Sequence, residues 1–107
     1  MGWRTVCRLD DLREDEPLRV VVDDLAICLV RTCGEVFAVR DQCTHEAIPL
    51  SEGDVDDCAI ECWLHGSRFD LRTGKVLNLP ATRPVAVYPV RVREGEVSVS
   101  LGQPDDT

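Results

Sequence analysis

The sequence predicts an all-β fold, a small antiparallel barrel or sandwich interrupted by an inserted loop region. Short apolar runs separated by turn residues follow one another along the chain. The last of them alternate strictly, as Val90-Arg91-Val92-Arg93 and Val97-Ser98-Val99-Ser100. Helical patterning is confined to one short polar segment. At 107 residues the chain has the length of one domain, spanning 1–107, with enough residues for a small core and too few for a second catalytic unit.

Taken in order, residues 3–8 alternate weakly and are expected as a first strand. Residues 9–17 hold Asp10-Asp11-Leu12 and further acids, a composition that admits either a helical turn or an irregular connection. Residues 18–22 and 25–31 flank Asp23-Asp24, and residues 36–40 follow the turn Thr32-Cys33-Gly34-Glu35, so this half reads as sequential antiparallel hairpins. Beyond the loop region, Leu71-Arg72-Thr73-Gly74 reads as a turn. Pro80 and Pro84 stiffen residues 77–84 and bar them from a central strand, because each removes a backbone donor. Strands resume over 85–93 and 96–101 around the turn at Glu94-Gly95, with one face to a core and the other to water. The tail, 102–107, is polar and acidic, has nothing to bury and is expected to fray.

Twelve basic residues against twenty acidic ones give a formal charge of −8. That balance argues against nucleic acid or an anionic membrane as partner, since both reward clustered Lys and Arg. It serves solubility, and would also steer the molecule towards a positively charged docking patch. The N-terminus carries no apolar run of signal-peptide or membrane-span length, and Val6 fails the Ser or Thr of a myristoylation site. A cytoplasmic location is therefore expected, and in that reducing compartment Cys7, Cys28, Cys33 and Cys58 are read as thiols on or near strands.

The stretch 43–69 is of another kind. Cys43-Thr44-His45 is followed, after sixteen intervening residues, by Cys62-Trp63-Leu64-His65, and these are the only two histidines of the chain. Cysteine with histidine is a ligand set for zinc or iron, not for magnesium or calcium. Structural zinc usually draws like ligands in pairs, Cys with Cys and His with His. One Cys and one His from each loop suits instead a two-iron centre in which both loops give sulfur to one iron and nitrogen to the other. Ligand chemistry alone permits both.

This spacing, with Leu50-Ser51-Glu52-Gly53 after the first pair and His65-Gly66-Ser67-Arg68-Phe69-Asp70 around the second, resembles the Rieske family over nearly the whole chain. The resemblance implies one two-iron two-sulfur (2Fe-2S) cluster held by Cys43, His45, Cys62 and His65, within a cluster-binding region of about 41–80 inserted in the β fold. It implies that the histidine ring edges are partly exposed at the tip of the domain, and that both rings lose their outer protons more readily when the iron is oxidised, so the potential falls at high pH. In the respiratory kind of Rieske protein a cysteine in each loop ties the two together, but Ile48 and Leu64 stand at those positions here. The chain thus resembles the soluble ferredoxins of ring-hydroxylating dioxygenases and related small actinobacterial-type ferredoxins. Rieske oxygenases share only their front domain with it, and their mononuclear-iron part has no room in 107 residues.

The expected function is one-electron carriage by a monomer between a flavin-dependent reductase and a terminal oxygenase, with no catalytic residue of its own. An accessory Rieske subunit of another redox system, such as a nitrite reductase small subunit or an iron–sulfur assembly ferredoxin, is the alternative, and a zinc-stabilised interaction module a third. Leu79-Pro80-Ala81 falls where the family's covering third loop lies, although a plain surface connection fits it too. Trp63 is expected as apolar cover that keeps water from the site. Ser67 matches a serine that donates a hydrogen bond to sulfur in high-potential members, and Phe69 stands where they have tyrosine. Together with the charge of −8, this sets the expected potential between roughly −150 and +50 mV.

Overall fold

The structure is a computed structural model and describes residues 2–44, 48–64, 66–79 and 81–101. The expected fraying of 102–107 lies outside the described residues.

Strand β1 (Trp3–Arg8) ends in a single 3-10 turn, Leu9–Asp11. Asp11 explains that turn, since its Oδ2 accepts the Arg8 N–H at 2.9 Å while the Leu12 N–H closes back on Leu9 O at 3.0 Å. Strands β2 (Leu18–Val22), β3 (Leu25–Thr32) and β4 (Glu35–Arg40) follow, then a second 3-10 turn, Leu50–Glu52. The inserted region holds β5 (Asp54–Asp56), β6 (Ala59–Glu61) and β7 (Arg68–Asp70), and the chain returns through β8 (Val87–Tyr88), β9 (Val90–Arg93) and β10 (Glu96–Ser100). No α-helix occurs among the described residues, and none of their helices is long and apolar enough to cross a membrane.

Every pairing of these strands is antiparallel, in three sheets of order β1-β10-β9, β2-β3-β4-β8 and β5-β6-β7. Four hairpins close through two residues that both have positive φ, the backbone a type I′ turn demands. They are Asp23-Asp24 (51° and 68°), Cys33-Gly34 (54° and 76°), Asp57-Cys58 (55° and 62°) and Glu94-Gly95 (52° and 79°). Only two of the four contain glycine, so in the other two three aspartates and Cys58 absorb the left-handed conformation.

Strand β3 explains how the sheets stack. Its run Ile27-Cys28-Leu29-Val30 is fully buried, so both of its faces meet a core. Ile27 and Leu29, with Ala38 of β4, join Leu12, Val22, Val97 and Val99 in the core shared with the β1-β10-β9 sheet. Cys28 and Val30, with Phe37 and Val39, face the other way into a core completed by Leu50, Ile60, Phe69, Leu71, Ala81 and Val85. The β2-β3-β4-β8 sheet is therefore a wall between the scaffold core and the inserted region. Gly53 leads into β5 so close to β6 that a Cβ would overlap the Glu61 carbonyl, which excludes any side chain there.

Three expectations need correction. Residues 85–93 do not form one strand: Pro89 lacks an N–H, and the chain divides there, β8 adding to β4 and β9 to β10. The inserted region is not loop alone, since a three-stranded sheet holds its middle. Cys33 and Cys58 are not thiols but a disulfide, because docking the small sheet on the β3–β4 face brings their two turns together with Cα atoms 5.9 Å apart, within the range a disulfide spans. Cys7 and Cys28 remain outside any disulfide, and burial pushes both thiols up, helped by the charges of Asp11 and Asp41 respectively.

Candidate metal centre

Cys43 and Cys62 converge in the core on the outer face of β3 and β4, at 2% and 1% exposure, and neither is in a disulfide. They reach it from different elements. Cys43 follows the end of β4 and Cys62 follows β6 directly. Each heads a loop closed in the same way, by its own N–H donating to the carbonyl five residues on: Cys43 to Ile48 at 2.9 Å, Cys62 to Ser67 at 2.7 Å. Gly66 tightens the second loop further by donating to Cys62 O at 3.0 Å with a φ of 78°, where glycine avoids a steric cost. His45 and His65 sit within these two loops by sequence and lie outside the described residues.

Beneath the first loop stands Asp41, one of twenty acidic residues and without any local mark to single it out. Its side chain has no exposed surface. Oδ1 accepts the Ser51 N–H at 2.6 Å, and Oδ2 accepts the Ser51 hydroxyl at 2.7 Å and an Arg19 N–H at 3.0 Å. Residue 41 precedes the loop and residue 51 follows it, so one carboxylate clasps both of its ends. A buried charge is tolerable only when paired in this way. Beside the same loop, a cleft of about 340 Å³ is lined by Arg40, Thr44, Arg83 and Val85, and the Thr44 hydroxyl donates to Arg83 O at 2.7 Å.

The second loop is held by the segment that follows β7. Asn78 accepts the Arg68 N–H at 2.8 Å and donates to Gly66 O at 2.9 Å, while the Leu77 N–H donates to Arg68 O at 2.8 Å. Ser67 is buried and its Oγ accepts the Ala81 N–H at 3.0 Å. The hydroxyl proton is not used in that bond and remains free to donate. Of the expected covering segment, Ala81 is buried against the second loop through its bond to Ser67, Leu79 faces solvent, and Pro80 lies outside the described residues. Phe69 is fully buried in the core that holds both cysteines, and supplies an apolar wall with no hydroxyl.

Trp63 departs from expectation. It is 52% exposed, as Leu64 is 37%, Leu77 51% and Leu79 73%. The apolar side chains around the second loop face solvent in good part, so this rim is a surface and not a lid.

Two buried sulfurs outside any disulfide, opening matched loops that each carry a histidine in sequence, are a donor set that fits a two-iron two-sulfur cluster. Comparison with known proteins agrees. The Rieske [2Fe-2S] domain family matches residues 2–89. The anthranilate 1,2-dioxygenase ferredoxin subunit of Burkholderia cepacia is 41% identical over 100 residues, 94% of this chain and 93% of that protein. The ferredoxin of carbazole 1,9a-dioxygenase from Nocardioides aromaticivorans IC177 superposes with a TM-score of 0.89 at 34% identity, covering 94% of this chain and 98% of that one. A structure described as a complex of reduced oxygenase and oxidized ferredoxin in carbazole 1,9a-dioxygenase gives a TM-score of 0.85 at 37% identity, with 92% of both chains covered. With the motif, the antiparallel three-sheet fold and these relatives in agreement, the chain belongs to the Rieske family and carries one 2Fe-2S cluster.

Proposed function

We propose that the chain works as a single Rieske domain, 1–107 with its cluster region at about 41–80, passing electrons one at a time from a flavin-dependent reductase to a terminal oxygenase as a cytoplasmic monomer. Cys43 and Cys62 hold one iron through sulfur, and His45 and His65 hold the other through nitrogen. When bound, the cluster supplies a site that accepts and returns a single electron. The chain's own residues do the rest. The buried cysteines and the wall of Leu50, Ile60 and Phe69 keep water from the sulfurs, the two N–H-closed loops fix the ligands, and the Ser67 hydroxyl favours the more negative, reduced state.

The observation that carries the docking part of this reading is where apolar surface is exposed. Of the eight large apolar side chains exposed among the described residues, Trp63, Leu64, Leu77 and Leu79 lie on the second loop and its covering segment. A patch of that kind beside a redox centre is a docking surface for transient partners. The dioxygenase ferredoxin subunits and the oxygenase–ferredoxin complex among its relatives support an oxygenase as electron acceptor.

A potentiometric titration followed by electron paramagnetic resonance tests the reading. A rhombic signal with a midpoint between roughly −150 and +50 mV is expected, together with oxygenase turnover when the protein is supplied with a flavin reductase. A midpoint well above that window, or no turnover with any such reductase and oxygenase pair, sinks the oxygenase assignment while leaving the cluster in place.

A further inference from the structure

Cys33 and Cys58 play no part in the metal centre or in either core, yet the fold joins them in a disulfide. Each occupies a central position of a two-residue hairpin turn, Cys33 between β3 and β4 and Cys58 between β5 and β6. Their φ angles of 54° and 62° lie in the left-handed region that residues with a Cβ enter at a cost. Neither is therefore a residue that its turn prefers. Cys33 is exposed and Cys58 partly so, which removes burial as a reason for either. The chemistry of the pair is what remains.

Position gives that chemistry a consequence. Cys58 begins the short run through β6 to Cys62, and the bond closes a stretch with a sequence separation of 25 that contains the whole first cluster loop. It fastens the tip of the hairpin that leads into the second loop to the tip of the hairpin that leads into the first. We propose that Cys33–Cys58 is a reversible thiol–disulfide site: closed, it locks the cluster-bearing sheet to the β3–β4 hairpin, and a cellular dithiol opens it and hastens loss of the cluster. A thiolate of the dithiol attacks the exposed Cys33 sulfur, the S–S bond breaks, and Cys58 leaves as a thiolate that takes up a proton. The second thiol of the reductant then displaces Cys33 from the mixed disulfide. Two electrons and two protons pass from the dithiol to the protein, leaving two protein thiols and an oxidised dithiol. Exposed disulfides are the ones that exchange in this way.

The test uses holoprotein. Air-exposed protein is alkylated with iodoacetamide without reductant and its peptides are read by mass spectrometry, while parallel samples equilibrate with dithiothreitol and the visible absorbance of the cluster is followed at a fixed elevated temperature. The expected result is a Cys33–Cys58 cross-linked peptide, opened by dithiothreitol, with bleaching about tenfold faster once open, since cross-links act by restricting the unfolded chain. Cys33→Ser and Cys58→Ser should bleach at the fast rate without reductant and gain nothing from it, which separates opening of the bond from attack by the reagent on the cluster. Carbamidomethyl groups on both cysteines of the air-exposed protein, a bond that resists excess dithiothreitol, or equal bleaching rates open and closed would each overturn the proposal. No reductase or oxygenase enters these readouts, so failure of the carrier reading leaves them unaffected.

Discussion

The two cluster loops are closed by the same backbone bond but supported by opposite chemistry. Below the first lies a buried carboxylate, Asp41, gripping Ser51 and Arg19, and beside it a cleft edged by Arg40 and Arg83. The second is held by neutral bonds from Asn78 and the Ser67–Ala81 pair, and its rim is apolar and exposed. Loops closed by the same backbone bond can thus be built on charge on one side and on amide hydrogen bonds on the other. The division suits a site that must be rigid where the chain enters from the scaffold, and must present a dry, adaptable surface where a partner lands.

Replacing either cysteine treats the loops as equals. Cys43→Ala and Cys62→Ala should each abolish the visible absorbance of the cluster completely, and a variant that kept it would break the equivalence. Asp41→Ala should separate them. It strips Ser51 of its partner for two part-buried donors and leaves the half-exposed Arg19 to water, at a cost of about 2–3 kcal/mol, most of it from the two lost Ser51 bonds. The melting temperature should then fall by more than about 10 °C, with Asp41→Asn losing less because it keeps one acceptor. Ser67→Ala removes the hydroxyl proposed above to favour the reduced state. Its midpoint should drop by about 60 mV, the one-electron equivalent of a tenfold change, with little loss of cluster. Asn78→Ala costs two hydrogen bonds at an exposed position, about 1 kcal/mol, read as a small fall in melting temperature with the midpoint unchanged. If Asn78→Ala proved as damaging as Asp41→Ala, the contrast between charged and neutral support would be lost.

Much of this was legible in the residues themselves. Cys43, His45, Cys62 and His65 stand out because histidine is scarce in this chain and each one accompanies a cysteine. The strands up to Arg40 are marked by apolar runs between turn residues. Asp41 was not legible, since its burial is a tertiary fact and one acid among many carries no local mark. The sheet of β5, β6 and β7 escaped notice because strands of three residues are too short for alternation to register. The Cys33–Cys58 bond joins the tips of two hairpins far apart in the chain, which no spacing rule anticipates. Pro89, by contrast, was a readable break: a residue with no N–H within residues 85–93 was sufficient reason to divide them.

The wall formed by β3 makes the two halves of the molecule unequal in a way that amide hydrogen exchange would register. Ile27, Cys28 and Leu29 are paired with β2 on one side and β4 on the other, Val30 is paired with β4, and both faces of this run are covered. Their amides open only with the whole domain and should be the slowest to exchange, at the global free energy. Cys43 and Cys62 belong to only one of the two cores, so stripping the iron should loosen that one alone. The apoprotein is thus expected to keep a protected scaffold around β3 while the amides of β5, β6 and β7 exchange freely: a folded half holding open the place into which a cluster can be built.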